Sequence, residues 1–507
     1  MRLLVLSRLF QKGPRLFWLL FPALLTAAVS IILNLQSSIR LDEAQQLWAS
    51  TKTIPGILEY IAQDVHVPLY ALLLHVWMQI FGQSIFVARL LSVLFFVLSL
   101  WPLYKVAQKT GGEKIARITV SLYCLSPFLT WYSTEARMYT LFTLATILSH
   151  LAFFTVLRSE GKKGKLFYGL GAVLGVYSHY FFFIVLFLQS LYYLFTVILK
   201  KNEEQSLTIR EKLRLHWPAL WRYGLVLLIV FASFLPWLLT MLSAGAGSNT
   251  KPNLAPPTSY NLLQVFINFV TGFQSPSVES LLISVWPLLV VLLFFTFSRK
   301  KRTYPLYTDY YALLTFIPVI LVFLISYIQP VLLSRYLIFL TPTLFYLLAV
   351  LLTHFNRFLF VTIVGIIFIG NIFFQYQQLF SPEIRERENY LGVAQYLKEN
   401  ATNSDVVAVS APFTVYPIEY NYQGSARIDT IPNWNRYETG SIPPFSPEEL
   451  NTQIEQYGEQ YDRVFVVLSY DQGYEEEIRE YFNGYQLNSK QEFSPGLEVL
   501  EYQLRYD

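Results

Sequence analysis

Residues 86–104 read FVARLLSVLFFVLSLWPLY, an almost continuously apolar run. A helix of roughly 20 apolar residues crosses the hydrocarbon core of a bilayer, so this stretch predicts a transmembrane helix. The whole 507-residue chain has a similar character, since 54% of its residues are hydrophobic and only 14% are charged. Average soluble domains contain about 25% charged residues. The sequence therefore predicts an α-helical membrane protein.

Runs of this kind occur eleven times and predict about eleven transmembrane helices. The fifth and sixth form one long run that is broken at 177–180, which we interpret as a hairpin of two short spans. The segment 67–81 is apolar but only about 15 residues long, too short for an ordinary span. It is predicted to lie on the outer face or to dip into the membrane. The predicted spans are 16–34, 86–104, 116–132, 138–157, 166–178, 180–198, 222–242, 279–298, 310–328, 336–353 and 358–375.

Lysine and arginine are distributed unevenly between the loops. If the N-terminus is cytoplasmic and the first span is an uncleaved anchor, the loops on the same side carry clusters of cations, whereas the opposite loops carry only isolated ones. This distribution obeys the positive-inside rule and predicts an extracytoplasmic C-terminus. Because the cations follow one membrane face, nothing indicates nucleic-acid binding. The predicted cytoplasmic cations are Arg2, Arg8, Lys12 and Arg15; Lys105, Lys109, Lys114 and Arg117; Arg158, Lys162, Lys163 and Lys165; Lys200, Lys201, Arg210, Lys212 and Arg214; Arg299, Lys300, Lys301 and Arg302; and Arg357.

The composition changes after about residue 377, where acidic residues become frequent. Short β-branched runs at 406–409 and 464–468 predict buried strands, and 390–400 predicts an amphipathic helix. The chain is therefore predicted to contain a transmembrane domain, 1–376, with a first outer loop at 35–85, and a small soluble α/β domain, 377–507.

Two acidic residues follow the first span, in the segment LDEAQQLW at 41–48. Asp42 could be the N-cap of a helix, with Glu43 in its first turn, where the helix dipole favours a negative charge. Alternatively, Asp42 could be a general base near the membrane interface. Local sequence does not separate these two interpretations.

Further ionisable residues fall on the same predicted side of the membrane. Glu135 and Arg137 could form an ion pair across an irregular turn, or Arg137 could hold an anionic group, for which the planar guanidinium is suited. Arg335 could be an interfacial cation that extends toward water. For His66 a structural role is as plausible as catalysis, and His179 lies at the tip of an outer hairpin.

An acid and several cations at the outer interface suit a lipid-linked phosphate, whose head group lies at that depth. The acid would activate an acceptor hydroxyl, and the cations would stabilise the departing phosphate. Asp42 and Glu43 could also ligate a divalent metal, but no second carboxylate pair is near, so no metal is expected to be required. The single cysteine, Cys124, excludes a cysteine metal cluster.

A transporter or flippase for a lipid-linked sugar is the rival interpretation, since such a protein would need no chemistry. Transporters typically place ionisable residues near mid-membrane and contain inverted repeats. Here the ionisable candidates lie at the ends of spans and no repeat is evident, which favours an enzyme.

At these residues the sequence resembles the integral-membrane glycosyltransferases of the C-type fold, in the bacterial branch related to protein O-mannosyltransferases and to the aminoarabinose transferase of lipid A (glycosyltransferase families 39 and 83). The resemblance covers roughly residues 10–380. The segments that carry it are LDEA at 41–44, HVPLY at 66–70, FVARLLS at 86–92, WYSTEARMY at 131–139, YSHY at 177–180 and, more loosely, SRYL at 334–337.

The resemblance implies that Asp42 is the catalytic carboxylate, with Glu43 beside it. His66, Arg137 and Arg335 would bind or position the donor phosphate, although a neutral histidine would bind phosphate more weakly than the lysine of some relatives. Glu135, Tyr139 and His179 would support the site.

The resemblance also implies a sugar donor on polyprenyl phosphate, an acceptor that is a lipid, a glycan or a protein, inversion at the anomeric carbon and, in a bacterium, location in the inner membrane.

Overall fold

The computed structural model of the chain is mainly helical and has one five-stranded sheet near the C-terminus. It describes residues 17–36, 38–64, 66–158, 161–199, 208–244, 255–285, 304–381, 384, 388–438 and 441–505. In chain order, the helices before the sheet are α1 (Phe17–Gln36), α2 (Leu41–Thr51), α3 (Ile54–Gln63), α4 (Leu69–Phe81), α5 (Ile85–Leu125), α6 (Pro127–Ser133), α7 (Tyr139–Arg158), α8 (Lys162–Val176), α9 (Phe182–Leu199), α10 (Ile209–Ser243), α11 (Ser259–Thr271), α12 (Pro276–Val285), α13 (Thr308–Ile325), a 3-10 helix (Ser334–Leu340), α14 (Thr341–Thr353) and α15 (Arg357–Phe380).

Six of the described helical segments are long and apolar enough to cross a bilayer, namely α5, α7, α10, α13, the 3-10 helix together with α14, and α15. Shorter apolar helices lie within α1, α4, α9 and α12. The prediction of a multi-spanning helical protein is therefore confirmed. The second half of the predicted span 279–298 lies outside the described residues.

Two predicted spans, 86–104 and 116–132, belong largely to the single long helix α5. Its two arms meet at Gly112, whose φ of 84° and ψ of 176° interrupt the helical geometry. A positive φ costs little only for glycine, so this residue allows the chain to turn between the arms. The predicted short span 166–178 corresponds to α8, whose 15 residues reach about 22 Å.

The loops sort into two groups according to their contacts. At one end, Arg158 Nη2 donates to the carbonyl of Lys109 at 2.8 Å, and the Arg158 guanidinium lies 5.8 Å from the ring centre of Tyr307. At the other end, the hydroxyl of Tyr180 donates to the carbonyl of His66 at 2.9 Å. Loops predicted to share a membrane face thus contact one another.

Several of the predicted cytoplasmic cations lie outside the described residues: Arg2, Arg8, Lys12, Arg15, Lys200, Lys201, Arg299, Lys300, Lys301 and Arg302.

The first outer loop contains three helices, α2, α3 and α4. The apolar segment 67–81 forms α4, whose 13 residues extend about 20 Å, less than the roughly 30 Å of the hydrocarbon core. Its first turn is attached to α5, because the Tyr70 hydroxyl and Ser92 Oγ are 2.8 Å apart. The position of α4 relative to the membrane surface stays a prediction.

The C-terminal α/β domain contains the strands β1 (Asp405–Ser410), β2 (Arg427–Thr430), β3 (Arg463–Ser469), β4 (Gln486–Ser494) and β5 (Leu497–Gln503). They form one sheet in the order β2-β1-β3-β5-β4. The strands β2, β1 and β3 are parallel, whereas β5 and β4 are antiparallel to their neighbours. All six residues of β1 are buried, as expected for a strand covered on both faces. The helices of the domain are α16 (Tyr390–Asn400), a 3-10 turn (Pro412–Thr414), α17 (Val415–Asn421), α18 (Pro447–Gln460) and α19 (Glu475–Phe482).

The predicted strands at 406–409 and 464–468 coincide with β1 and β3, and the predicted helix at 390–400 is α16. The preceding helix, α15, ends at Phe380, so the predicted domain boundary at 376–377 falls inside its last turn.

The C-terminal domain rests on the first outer loop. The ring centres of Trp48, on α2, and Tyr416, on α17, are 5.0 Å apart. The backbone N–H of Ile85, at the start of α5, donates to the hydroxyl of Tyr420 at 2.9 Å. The domain therefore lies at the same end of the helices as Asp42.

We expect that, in a Cys124→Ala background, Tyr437→Cys is labelled by a membrane-impermeant maleimide on intact cells and Lys109→Cys is not. Tyr437 is 70% exposed on the C-terminal domain, and Lys109 is exposed at the opposite end of the helices. Permeabilised cells, in which both cysteines should react, are the control. Labelling of both variants in intact cells would contradict the two-faced arrangement, and labelling of Lys109→Cys alone would reverse the predicted orientation.

Candidate active site

A cavity of about 230 Å³ lies at the end of the helices that carries Asp42, beside the segment that leads to the C-terminal domain. It is lined from the start of α2, the α6–α7 loop, the 3-10 helix, the end of α15 and the segment that follows α15. The acidic and basic side chains that line it are Arg40, Asp42, Glu135, Arg335 and Glu388.

Asp42 is the second residue of α2, whose N-cap is Arg40. The interpretation of Asp42 as the N-cap is therefore wrong, because the helix begins earlier than its local sequence suggests. The carboxylate instead extends into the cavity, where Oδ2 lies 3.1 Å from Arg335 Nη1, with the two side chains 30% and 35% exposed. Burial raises the pKa of Asp42, but Arg335, then Arg137, lower it more, so the pKa falls to about 2. Asp42 is thus ionised at neutral pH.

The carboxylate of Glu43 is occupied by hydrogen bonds within the protein and cannot contact a substrate. Its side chain is fully buried, and Arg89 donates to Oε1 from Nε at 2.8 Å and to Oε2 from Nη2 at 2.6 Å. The backbone N–H groups of Ala136 and Arg40 donate to the same carboxylate at 2.9 and 3.1 Å. Burial raises the pKa of Glu43, and the charge and hydrogen bonds of Arg89 lower it more. Glu43 is absent from the cavity lining and instead connects α2 to α5 and to the α6–α7 loop.

Glu135 and Arg137 take different partners rather than forming the ion pair considered from their spacing. Glu135 Oε2 accepts from Arg40 Nη1 at 2.7 Å, and the Arg40 guanidinium lies 3.8 Å from the ring centre of Trp131. Burial raises the pKa of Glu135 to about 7, although Arg40 opposes the shift. Arg137 donates from Nη1 to the carbonyl of Asp42 at 3.2 Å. Arg137 therefore reaches the residue that carries the candidate base.

His66 orients Arg137. Its Nε2 lies 2.6 Å from Arg137 Nη2, and since a guanidinium can only donate, Nε2 is the acceptor. Burial lowers the pKa of His66, with the charge of Arg137 acting in the same direction and Asp64 opposing it. A neutral His66 thus adds no positive charge to the site but holds Arg137 in place.

Three buried donors beside Asp42 have no hydrogen-bond partner within the described part of the chain: Arg137 Nε, Arg335 Nε and the Tyr139 hydroxyl. Buried polar groups are paired in the great majority of cases, and leaving one unpaired costs about 1–3 kcal/mol. Tyr139 interacts electrostatically with both arginines and with Asp42. This group of donors can accommodate an anionic ligand.

His179 is packed against aromatic rings beside this group. Its ring stacks on Phe142 at 4.7 Å with an interplanar angle of 7°, and its Nδ1 accepts the backbone N–H of Phe181 at 3.1 Å. Burial lowers the pKa of His179 to about 3, so the ring is neutral. His179 supports the wall formed by α7, and a direct role stays a prediction.

The sequence segments that carry the resemblance interlock here. Besides its contact with Tyr70, Ser92 Oγ donates to the carbonyl of Arg137 at 3.3 Å. Tyr180 bonds the carbonyl of His66. Four of these segments, 66–70, 86–92, 131–139 and 177–180, are therefore held together by hydrogen bonds near the cavity.

Sequence reasoning missed three residues of the site. Arg89 had a signal, because it lies in a predicted span, where a charge is costly and usually functional. In the sequence, Arg40 is one of the isolated cations in the loops predicted to be extracytoplasmic, and its spacing gives no sign of a partner. Glu388 had no local signal, since its partner Leu41 is 347 residues away in the chain.

Among the described residues, no three histidine, cysteine, aspartate or glutamate side chains are grouped to hold a metal, and the metal requirement stays a prediction.

We expect Arg89→Met to lower the unfolding free energy by about 3–5 kcal/mol, because it leaves the buried Glu43 carboxylate without its cation. Adding Glu43→Gln should recover a large part of this loss. The measurement is thermal unfolding of the purified protein in detergent. Arg427→Met is the control, since Arg427 is 59% exposed in its ion pair with Asp429 and should cost less than about 1 kcal/mol. Equal losses for both arginines would contradict the assignment.

Residues 65–237 match the family model of dolichyl-phosphate-mannose-protein mannosyltransferases. This stretch contains His66, Arg89, Glu135, Arg137 and His179. No curated protein is significantly similar to the chain in sequence.

Solved structures share the architecture. The chain resembles ArnT from Cupriavidus metallidurans in the apo state with a TM-score of 0.60 and 10% identity, over 95% of this chain and 97% of that one. The same protein bound to undecaprenyl phosphate gives a TM-score of 0.55 and 9% identity, over 97% and 99% of the two chains. The chain therefore has the fold of ArnT, and its similarity over residues 65–237 to the dolichyl-phosphate-mannose-protein mannosyltransferases indicates a glycosyltransferase.

Proposed function

We propose that the protein transfers a sugar from a polyprenyl-phosphate donor to an acceptor hydroxyl, with Asp42 as the general base. The observation that carries this proposal is the 3.1 Å contact between Asp42 and Arg335 in a cavity that has unpaired guanidinium donors beside it. A base and a phosphate-binding cation are thus adjacent. The solved complex of ArnT with undecaprenyl phosphate supports the class of donor.

Arg335 and Arg137 are the proposed phosphate ligands. Each has a buried Nε–H without a partner among the described residues, and guanidinium donors form a planar fork that matches phosphate oxygens. The Tyr139 hydroxyl can add a third donor. Because Arg335 contacts the carboxylate of Asp42 and Arg137 contacts its carbonyl, a phosphate held by both lies next to the base.

The proposed reaction is a single displacement. The acceptor oxygen attacks the anomeric carbon while its proton passes to Asp42, and the bond between that carbon and the phosphate oxygen breaks. The electron pair leaves with the polyprenyl phosphate, whose developing charge the arginines stabilise. One displacement inverts the anomeric centre. Polyprenyl phosphate is a good leaving group, so the scheme needs no general acid.

Donor binding also adjusts the strength of the base. Arg335 and Arg137 hold the pKa of Asp42 near 2, which leaves the carboxylate ionised but weakly basic. A phosphate that shares Arg335 brings negative charge beside Asp42 and raises its pKa toward the range in which general bases are effective. Asp42 would therefore become a stronger base once the donor is bound.

The remaining candidates are assigned supporting roles. Glu43 positions Asp42 by attaching α2 to Arg89, and His66 positions Arg137. Glu135 holds Arg40 at the cavity wall. His179 supports α7 through Phe142.

The proposed location is the inner membrane of a bacterium, with a cytoplasmic N-terminus and an extracytoplasmic site. The uneven distribution of lysine and arginine between the loops supports this orientation. The acceptor is a lipid, a glycan or a protein.

We expect Asp42→Asn to lower turnover by about 10²–10⁴-fold, because the amide cannot accept the proton. The assay is release of undecaprenyl phosphate, detected by mass spectrometry, from a lipid extract that contains undecaprenyl-phosphate-linked sugars. Glu59→Gln, which changes an exposed carboxylate of the same loop, is the matched control and should keep wild-type turnover. Retained turnover in a folded Asp42→Asn variant would remove Asp42 as the base. A wild-type protein that moves the lipid across vesicles without releasing the phosphate would favour the transporter.

We expect Arg335→Met and Arg137→Met each to weaken binding of undecaprenyl phosphate by about 10-fold or more, since a hydrogen bond to a charged group contributes about 1.5–3 kcal/mol. The measurement is a titration of the detergent-solubilised protein followed by tryptophan fluorescence. Arg427→Met should bind like the wild type, because Arg427 lies on β2 and does not line the cavity. Unchanged affinity in both cavity variants would refute the proposed phosphate site.

A further inference from the structure

Glu388 comes from the segment that leads into the C-terminal domain, yet it lines the cavity together with Asp42. Its Oε2 accepts a hydrogen bond from the backbone N–H of Leu41 at 2.8 Å. Its Oε1 accepts from the hydroxyl of Tyr470 at 3.0 Å. One carboxylate therefore joins the first residue of α2 to the C-terminal domain.

The hydrogen bond from the Leu41 N–H to Glu388 caps the N-terminus of α2, which has no cap from its own N-cap side chain. The first N–H groups of a helix have no partner within the helix, and they are usually satisfied by an oxygen of the N-cap side chain. The N-cap here is Arg40, which can only donate. Glu43 takes the N–H of Arg40, and Glu388 takes that of Leu41, with its negative charge at the favourable end of the helix dipole. Asp42 is the next residue.

The second bond attaches Glu388 to the sheet. Tyr470 directly follows β3, at the carboxyl end of a strand that pairs in parallel with β1. This end is held by two contacts: the N–H of Ala411 donates to the carbonyl of Ser469 at 2.9 Å, and the hydroxyl of Tyr390 lies 3.0 Å from Ser469 Oγ. In open α/β sheets, ligand sites form beyond the carboxyl ends of the parallel strands. Here the residue at that edge, Tyr470, is hydrogen-bonded to Glu388, which lines the cavity.

We infer that the C-terminal domain positions the general base: Tyr470 holds Glu388, and Glu388 holds the first turn of α2, which fixes Asp42 against Arg335. This inference rests on the proposed role of Asp42. Glu388 and Tyr470 are positioning residues, because they act through the backbone of α2. Since Arg335 and Arg137 lie on other elements and only contact α2 at Asp42, we expect binding of the donor phosphate to depend on this link much less than turnover does.

The decisive test compares Glu388→Ala with Glu388→Gln. Loss of the cap lets the first turn of α2 shift, and a misplacement of about 1 Å can cost roughly 10²-fold in rate. We expect Glu388→Ala to lower kcat for undecaprenyl phosphate release by about 10–100-fold, with KM for the lipid donor and affinity for undecaprenyl phosphate unchanged. Glu388→Gln should recover most of kcat, because its amide oxygen can accept the Leu41 N–H.

Two further measurements keep the inference testable if Glu388→Ala folds poorly. Tyr470→Phe removes only the second bond and should lower kcat in the same direction, by a smaller factor. Hydrogen–deuterium exchange should be faster in a peptide covering 41–51 in Glu388→Ala and Tyr470→Phe. Tyr420→Phe is the matched control, because it removes a bond from the same domain to the first N–H of α5 and should change neither kcat nor the exchange of 41–51.

The results separate the two proposals. If Asp42→Asn is inactive while Glu388→Ala and Tyr470→Phe keep wild-type kcat and exchange, the positioning role is wrong and the proposed function stands. A parallel loss of undecaprenyl phosphate affinity in Glu388→Ala, without faster exchange of 41–51, would also overturn it by indicating direct contact with the donor. Full activity of Asp42→Asn would remove Asp42 as the base and, with it, the premise of this inference.

Discussion

The buried ion pair between Glu43 and Arg89 is the interaction on which the site depends. Both side chains are fully buried, and two N–H···O contacts of 2.6 and 2.8 Å join them. Burying two charges carries a large desolvation cost that only a well-satisfied geometry offsets. The same carboxylate also binds the N–H of Ala136, so α2, α5 and the α6–α7 loop are joined at one point. Asp42 and Arg137 each lie next to a residue of that junction.

The charged side chains at and around this junction differ in how completely they are hydrogen-bonded. Glu43 has every acceptor position filled, whereas Arg137 and Arg335 retain buried donors without a partner in the described chain. The paired groups hold the geometry, and the unpaired ones leave binding capacity for an anion. The C-terminal domain takes part as well, because Glu388 reaches the first turn of α2. The site is thus built from two parts of the chain that differ in composition and fold.

Several features of the site could be predicted from the sequence, and the failures share a cause. The location of Asp42 and the cations at one end of the helices follows from where the apolar runs end, and the strands at β1 and β3 follow from their β-branched runs. The N-cap interpretation of Asp42 failed because capping preference is a local tendency, whereas α2 begins at Leu41, whose N–H is satisfied by the distant Glu388. Glu43 was grouped with Asp42 because they are adjacent, yet successive helical residues point in different directions, and only one of them faces the cavity.

The sequence by itself determined the membrane class, the helical architecture and the division of charges between the two ends of the helices. It could do so because the free energy of placing a side chain in a bilayer depends mainly on that side chain and its near neighbours in the chain. Only the tertiary structure decided which charges meet: Glu43 with Arg89, Glu135 with Arg40, and Glu388 with the backbone of Leu41. These pairings depend on how distant segments pack, and packing is a property of the whole fold.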